Sequence, residues 1–111
     1  MERDERTYLY DIILSCQNIL VFTADLNFPA YQSNALVKSA VERQFILIGE
    51  ALNNLKRVDV NAYNKISFAG QIVGFRNILV HGYESISDQL VWEIVGTHVK
   101  ELQKTCESLS E

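Results

Sequence analysis

Four residues that can do chemistry lie close together in the segment RNILVHGY, residues 76–83: Arg76, Asn77, His81 and Tyr83. An arginine can hold a phosphate through two parallel hydrogen bonds and stabilise charge that develops on its oxygens. Histidine titrates near neutral pH, so an imidazole can accept the proton of a ribose 2′-hydroxyl and protonate the leaving oxygen. The residue types therefore indicate metal-independent RNA cleavage, with Asn77 orienting His81 or contacting the phosphate and Tyr83 positioning the RNA.

Helical geometry limits how these residues can act together. At roughly 100° per residue, Asn77 and His81 share one face of a helix, whereas Arg76 and His81 point roughly 140° apart. One straight helix cannot aim both side chains at a single phosphate. Gly82 can end the helix so that His81 and Tyr83 turn back, or two copies can pool their residues across a two-fold axis, and we expect both.

The same residues also have purely structural interpretations. A histidine near a helix C-terminus can bond the last carbonyls, an arginine there interacts favourably with the helix dipole, and tyrosine is commonly half-buried. No metal site or other cofactor is expected, because His81 and His98 lack a third ligand at a usual spacing. Cys16 and Cys106 are isolated in the sequence and are predicted to be reduced core residues.

The composition predicts one all-α domain. A chain of 111 residues with 48% hydrophobic content can build a core without disulfides, and 1 proline with 5 glycines favours long helices. No apolar run reaches the ~18 to 20 residues of a membrane span, and the N-terminal residues carry charges of both signs, so we expect a cytoplasmic protein without a membrane partner. The net charge of −4 means that any positive charge used on RNA must be local.

Apolar side chains that recur at helical spacing predict four helices. The first runs from about Tyr8, and the chain should turn at Asn27–Pro29. The second, from about Ser33 to Leu55, has the clearest pattern. Its apolar residues are Val37, Val41, Phe45, Ile48, Leu52 and Leu55. A connector from Arg57 to Ser67, with short helical turns, follows.

The third and fourth helices contain the remaining periodic signals. The third should begin at Phe68 with Ser67 as its N-cap. Gly70 and Gly74 lie four residues apart on one of its faces, which predicts the close approach of another helix. A capping signal at Ser85–Ser87 should start a single fourth helix. Together the helices favour an antiparallel four-helix bundle with a short connector between helices two and three.

The order of residues in RNILVHGY resembles the Arg-x4-His-x-Tyr motif of the HepT-like ribonuclease toxins, which belong to the HEPN superfamily. Residues 40–55, AVERQFILIGEALNNL, resemble the helix that precedes this motif, and residues 91–95, VWEIV, resemble the last helix. The tripeptide Gly49-Glu50-Ala51 adds to the likeness. The resemblance implies a HEPN-type bundle that forms a homodimer, in which two motifs face each other and cut RNA without metal.

The resemblance also assigns residue roles and a partner. It carries over Arg76 and His81 as catalytic residues and Asn77 as an assisting group. Members of the family are usually encoded beside a minimal nucleotidyltransferase of the MNT type, which neutralises the toxin by transferring AMP to the motif tyrosine, here Tyr83. This implies a type VII-like toxin–antitoxin pair that acts on an RNA such as tRNA or mRNA. The alternative is a non-catalytic HEPN module that binds the nucleotidyltransferase and presents substrate or nucleotide to it.

Other residues of these helices receive structural interpretations. Glu50 neighbours the apolar face of the second helix, and an ion pair with Arg76 is the better prediction than a catalytic acid. Phe45 and Trp92 lie in apolar stripes and are predicted to form core or dimer contacts. His98 is predicted to lie at the surface or at its boundary.

Overall fold

The computed structural model describes residues 4–82 and 86–111, and within them the chain forms α-helices and no strand. The helices are α1 (Glu5–Thr23), α2 (Phe28–Gln32), α3 (Ala35–Val58), α4 (Val60–Asn64), α5 (Ala69–His81), α6 (Asp88–Thr97) and α7 (Val99–Leu109). The predicted all-α helical bundle is confirmed. None of the helices in these two ranges has the length and apolar character needed to cross a membrane.

The long helices α1 and α3 form the most extensive contact of the bundle, and α3 also packs against α5 while α1 packs against α7. Each of the two long helices begins at a side-chain cap: Asp4 accepts from the Thr7 N–H, and Asn34 accepts from the Val37 N–H. Most of the predicted stripe of the second helix lies in the core. Five of its residues are buried, and Val37 is partly buried against them; the five are Val41, Phe45, Ile48, Leu52 and Leu55. Helix α3 therefore provides a fixed frame for α5.

The predicted interruption at Asn27–Pro29 is confirmed at Asn27, but Phe28 and Pro29 are helical. Asn27 caps the short helix α2, its side chain accepting from the Ala30 N–H. Pro29 stands in the first turn of α2, where the missing N–H has no intrahelical partner to lose. The chain turns on either side of α2 instead, and α2 places Tyr31 in the core, with its ring 5.1 Å from that of Trp92.

The connector after α3 contains the predicted short helical turn. Helix α3 continues beyond Leu55 to Val58, and the Asp59 N–H still bonds to the Leu55 carbonyl. The Asp59 side chain then caps α4 by accepting from the Ala62 N–H. One residue thus ends α3 and begins α4, so little chain separates the two helices.

The N-cap predicted for the third helix is wrong. Phe68, not Ser67, occupies the N-cap position of α5, and no side chain caps it. The Ala69 N–H bonds to the Ile66 carbonyl of the preceding turn, so the backbone replaces the predicted cap. Within the described part of the chain no helix approaches Gly70 or Gly74, where an added Cβ would meet no atom within 4 Å. The close approach that these glycines allow therefore stays a prediction for another copy of the chain.

The predicted fourth helix is divided at His98 into α6 and α7. The Thr97 hydroxyl donates to the Glu93 carbonyl at 2.7 Å, a back-bond of the kind that bends helices. The partly buried His98 ring packs edge-on against Phe68 at 4.6 Å, which confirms its boundary position. Ser87 caps α6 as predicted by accepting from the Leu90 N–H, whereas Ser85 lies outside the described residues.

The remaining predicted core residues are buried or partly buried. Phe45 is fully enclosed, and Trp92 is partly buried against the core. Cys16 and Cys106 are both buried, unpaired thiols, as expected. Burial raises the pKa of both thiols, that of Cys106 to about 12, so neither is a nucleophile at neutral pH.

Candidate active site

Helix α5 separates the candidate residues by the two faces that it presents. Its inner face is buried in the core and consists of Ala69, Ile72, Phe75 and Leu79. Its outer face is exposed and consists of Gly70, Gln71, Gly74, Asn77, Ile78 and His81. Asn77 and His81 therefore share the outer face, as helical spacing predicts, whereas Arg76 is partly buried at the border with α3.

The Arg76 guanidinium is held by two polar neighbours. Its Nη1 donates to the Oδ1 of Asn77 at 3.0 Å, and its Nη2 lies 3.6 Å from the Oε1 of Glu50. The ion pair predicted between Glu50 and Arg76 is thus confirmed. Asn77 makes its hydrogen bond to Arg76, and none joins it to His81 in the part of the chain that the structure describes. The guanidinium consequently has a defined orientation before any ligand binds.

The Nε of Arg76 is buried and has no hydrogen-bond partner among the described residues. Leaving a buried donor unsatisfied costs about 1–3 kcal/mol. The side chain is only 24% exposed although it carries a permanent charge. Arg76 is therefore kept in a position that is not its most favourable one for folding, which is typical of functional sites.

At Gly49, the backbone of α3 lies directly against the Arg76 side chain of α5. A Cβ on Gly49 would overlap the Cβ and Cγ atoms of Arg76. The aliphatic stem of Arg76 therefore occupies the space that any other residue at position 49 would fill. The tripeptide Gly49-Glu50-Ala51 stands out in the sequence only through the family resemblance, which gives Gly49 no role. The available signal was a glycine inside a strongly periodic helix, where glycine is less favourable than alanine.

His81 is the last residue of α5, and its side chain is exposed. The N–H of Gly82 closes the helix by bonding to the Ile78 carbonyl at 2.7 Å, so α5 ends where predicted. Arg76 makes its polar contacts with Asn77 and Glu50, and within the described ranges it makes none with His81. Tyr83 lies outside the described residues.

Two surface depressions flank the site. A cleft of about 340 Å³ lies between α1 and α3, and its lining includes Glu50 and amide side chains such as Gln44 and Asn54. An apolar groove of about 580 Å³ lies between α5 and α6 and includes Gly74 and Ile78. Among the residues that the structure describes, no group of three or more His, Cys, Asp or Glu side chains is placed to hold a metal ion.

Comparisons with known proteins give a consistent result. The family described as Ribonuclease HepT-like matches residues 12–109. The chain is 32% identical over 106 residues to a Methanocaldococcus jannaschii protein named as a candidate RNase, with 96% of each chain covered. A second candidate RNase from that organism is 33% identical, with 85% of this chain and 77% of that protein covered. A candidate ribonuclease HepT of Thermococcus cleftensis is 26% identical, with 98% of each chain covered. No solved structure gives a significant match.

Proposed function

This chain belongs to the HepT-like ribonuclease family, and we propose that it is a metal-independent endoribonuclease that cuts RNA through Arg76 and His81. The observation that carries the proposal is the orientation of the Arg76 guanidinium, whose two Nη atoms contact Asn77 and Glu50. Arg76 lies on α5, the same helix that presents an exposed His81. Arg76 supplies a positive charge for the phosphate, and His81 supplies the group that moves protons.

In the proposed reaction, the ribose 2′-oxygen attacks the adjacent phosphorus and the bond to the 5′-oxygen of the next nucleotide breaks. The His81 imidazole accepts the 2′-hydroxyl proton, and an imidazolium returns a proton to the leaving oxygen. Arg76 stabilises the negative charge that builds on the phosphate oxygens, which is the task a metal ion would otherwise perform. The products are a 2′,3′-cyclic phosphate and a 5′-hydroxyl.

We propose that a second copy of the chain completes the site. Arg76 faces α3 whereas His81 lies on the outer face of α5, so one copy does not direct both at one phosphate. The outer face also has open space above Gly74 and a half-exposed Ile78 beside an apolar groove. Two such faces packed about a two-fold axis would bury the groove and bring Arg76 near His81 of the partner subunit.

The family membership supports a toxin role, and we propose that a minimal nucleotidyltransferase neutralises the enzyme by attaching AMP to Tyr83. Tyr83 follows His81 by two residues, so a group added there enters the space that RNA must occupy. The added phosphodiester is negatively charged and competes for Arg76. Intact-mass measurement after co-expression should show increments of about 329 Da per AMP, the chemical mass of the adduct, and Tyr83→Phe should remove them.

The decisive test incubates the purified chain with labelled RNA in excess EDTA. We expect cleavage to persist, and to fall by about 100-fold or more in Arg76→Ala and His81→Ala while circular dichroism shows unchanged helix content. Arg43→Ala, which removes an exposed arginine of α3, serves as the control and should cleave normally. Cleavage that depends on added magnesium contradicts the mechanism. RNA or nucleotide binding without cleavage would favour the alternative, a non-catalytic HEPN module that presents its ligand to the nucleotidyltransferase.

A further inference from the structure

We propose that Glu50 is a positioning residue for Arg76. Its carboxylate holds the guanidinium in the orientation in which it meets the RNA phosphate, and Gly49 provides the bare helix surface that allows Arg76 to reach that position. This inference rests on the proposed role of Arg76 in RNA cleavage. It adds two residues of α3 that touch no reacting atom.

Two consecutive residues of α3 act on different parts of one side chain. Gly49 lies against the Cβ and Cγ atoms of Arg76, where a methyl group would overlap them. Glu50 meets the other end of the side chain, with its Oε1 3.6 Å from Nη2. Both residues belong to the long helix α3. The stem and the guanidinium of Arg76 are therefore positioned by the same helix.

The distance suits orientation better than tight binding. Charge-assisted hydrogen bonds between nitrogen and carboxylate oxygen are about 2.7–2.9 Å long, and the 3.6 Å separation is clearly greater. The Glu50 side chain is also 47% exposed, so solvent screens the pair and it contributes little to folding stability. Glu50 can therefore direct the guanidinium and still yield to a phosphate.

The contacts also leave donors available for a ligand. Asn77 accepts from Nη1 and Glu50 attracts Nη2, while Nε is enclosed by protein. Each Nη carries two N–H groups, so both atoms retain an N–H for the two-point binding of a phosphate. With the stem fixed by Gly49 and both Nη atoms directed, the plane of the guanidinium is set in advance.

This arrangement makes a specific kinetic prediction. A carboxylate beside the phosphate site repels RNA, so removing it should leave substrate binding unchanged or strengthen it. The loss of orientation should instead slow the chemical step, which lowers kcat while KM stays equal or falls. A purely structural Glu50 would change the melting temperature and leave kcat of the folded protein unaltered. A Glu50 that restrains Arg76 away from substrate would raise kcat/KM when it is removed.

The experiment compares wild type, Glu50→Gln and Glu50→Asp, with Glu101→Gln as a control at an exposed glutamate of α7. We expect Glu50→Gln to reduce kcat by roughly 10- to 100-fold with an unchanged or lower KM and an unchanged melting temperature. Glu50→Asp keeps the charge and should recover part of the loss. An unchanged kcat or an increased kcat/KM in Glu50→Gln would overturn the proposal.

A second readout does not require cleavage. The buried Nε–H of Arg76 should give a slowly exchanging proton resonance in ¹⁵N-labelled wild type, assigned by its loss in Arg76→Lys. We expect this resonance to broaden or disappear in Glu50→Gln and to persist in Glu101→Gln. If wild type cleaves no RNA, the proposed function fails, and the resonance still decides whether Glu50 holds Arg76. A resonance unchanged in Glu50→Gln rejects the positioning role.

Discussion

Glycines on the two sides of α5 have opposite surroundings: Gly49 belongs to the facing helix α3, and Gly70 and Gly74 lie on the outer face of α5 itself. Toward α3, the stem of Arg76 fills the space above Gly49. On the outer face, no atom of the residues that the structure describes lies within 4 Å of a Cβ added to Gly70 or Gly74. The stem of Arg76 is therefore packed by its own chain. On the side with His81, the described residues leave room for a further helix. We propose from this contrast that the arginine is pre-organised by folding and that the histidine acquires its surroundings by association.

The largest expected effect comes from mixing two inactive variants, which tests whether one active site combines residues of two protomers. Arg76→Ala and His81→Ala should each lose about 100-fold or more in cleavage rate. If the site is shared between protomers, their mixed dimer contains one intact site, and equal mixing with full exchange should restore about a quarter of wild-type activity. The rate is measured on labelled RNA after the mixture has been unfolded and refolded together. No recovery, with mixed dimers verified by mass spectrometry, would place both residues of each site in one protomer.

Alanine substitutions at the glycines compare the two sides directly. Gly49→Ala forces a methyl group into Arg76 and should cost about 1–3 kcal/mol of unfolding free energy together with most of the activity. Gly96→Ala, at an open position of α6, is the matched control and should gain up to about 1 kcal/mol from better helix propensity. Urea denaturation of each variant gives the two values. Equal stabilities for the two variants would mean that α3 and α5 can separate without penalty.

A larger side chain on the outer face of α5 tests whether two copies of the chain associate through this face. Gly74→Leu places bulk where the chain has open space, so each monomer should fold with unchanged helix content. We expect sedimentation at micromolar concentration to shift from about twice the 12.7 kDa chain mass to the monomer mass, and cleavage to fall in parallel. Gln103→Leu on α7 is the control and should remain dimeric. A Gly74→Leu variant that stays dimeric and active would move the interface away from this face.

Sequence reasoning predicted the elements better than their contacts. The stripe of α3 and the end of α5 at His81 follow from local periodicity and from Gly82, so they could be read from the chain. The division of the last helix at His98 depends on a side-chain back-bond of Thr97 and on the packing of His98 against Phe68, which no spacing reveals. The Arg-x4-His-x-Tyr motif identified Arg76 as a candidate site residue, but it did not predict which residues of α3 contact its side chain.

The glycines show why the site could not be predicted in full. Spacing singled out Gly70 and Gly74 as a close-packing pair, yet the glycine that permits close packing inside the chain is Gly49. Which glycine meets a neighbouring helix depends on how α5 is rotated against α3, and that rotation results from the packing of the whole core. The ion pair between Glu50 and Arg76 was predictable because Glu50 stands next to the apolar face of its helix, where a charged side chain needs a partner of opposite charge.

The smallest expected effect concerns a second glutamate of α3, which contrasts with Glu50. Glu42 is partly buried near the ion pair formed by Lys38 and Asp88, whose Nζ and Oδ2 atoms lie 3.1 Å apart. Burial raises the pKa of Glu42 and the Asp88 carboxylate raises it further, while Lys38 lowers it. The charged form of Glu42 is thus less favourable in the folded protein than in the unfolded chain.

The sign of the pH dependence follows from that pKa shift. Below the ordinary glutamate value of 4.5, Glu42 is protonated in both states and imposes no penalty on folding. As the pH rises through its raised folded pKa, stability is lost, because the folded state must then carry an unfavourable charge. Glu42→Gln should therefore raise the melting temperature slightly at pH 7, and the gain should vanish toward pH 4. RNA cleavage should be unaffected, since Glu42 does not contact Arg76 in the described chain. Thermal melts of wild type, Glu42→Gln and the exposed control Glu101→Gln over this pH range measure the difference, and a gain that is independent of pH would contradict the electrostatic explanation.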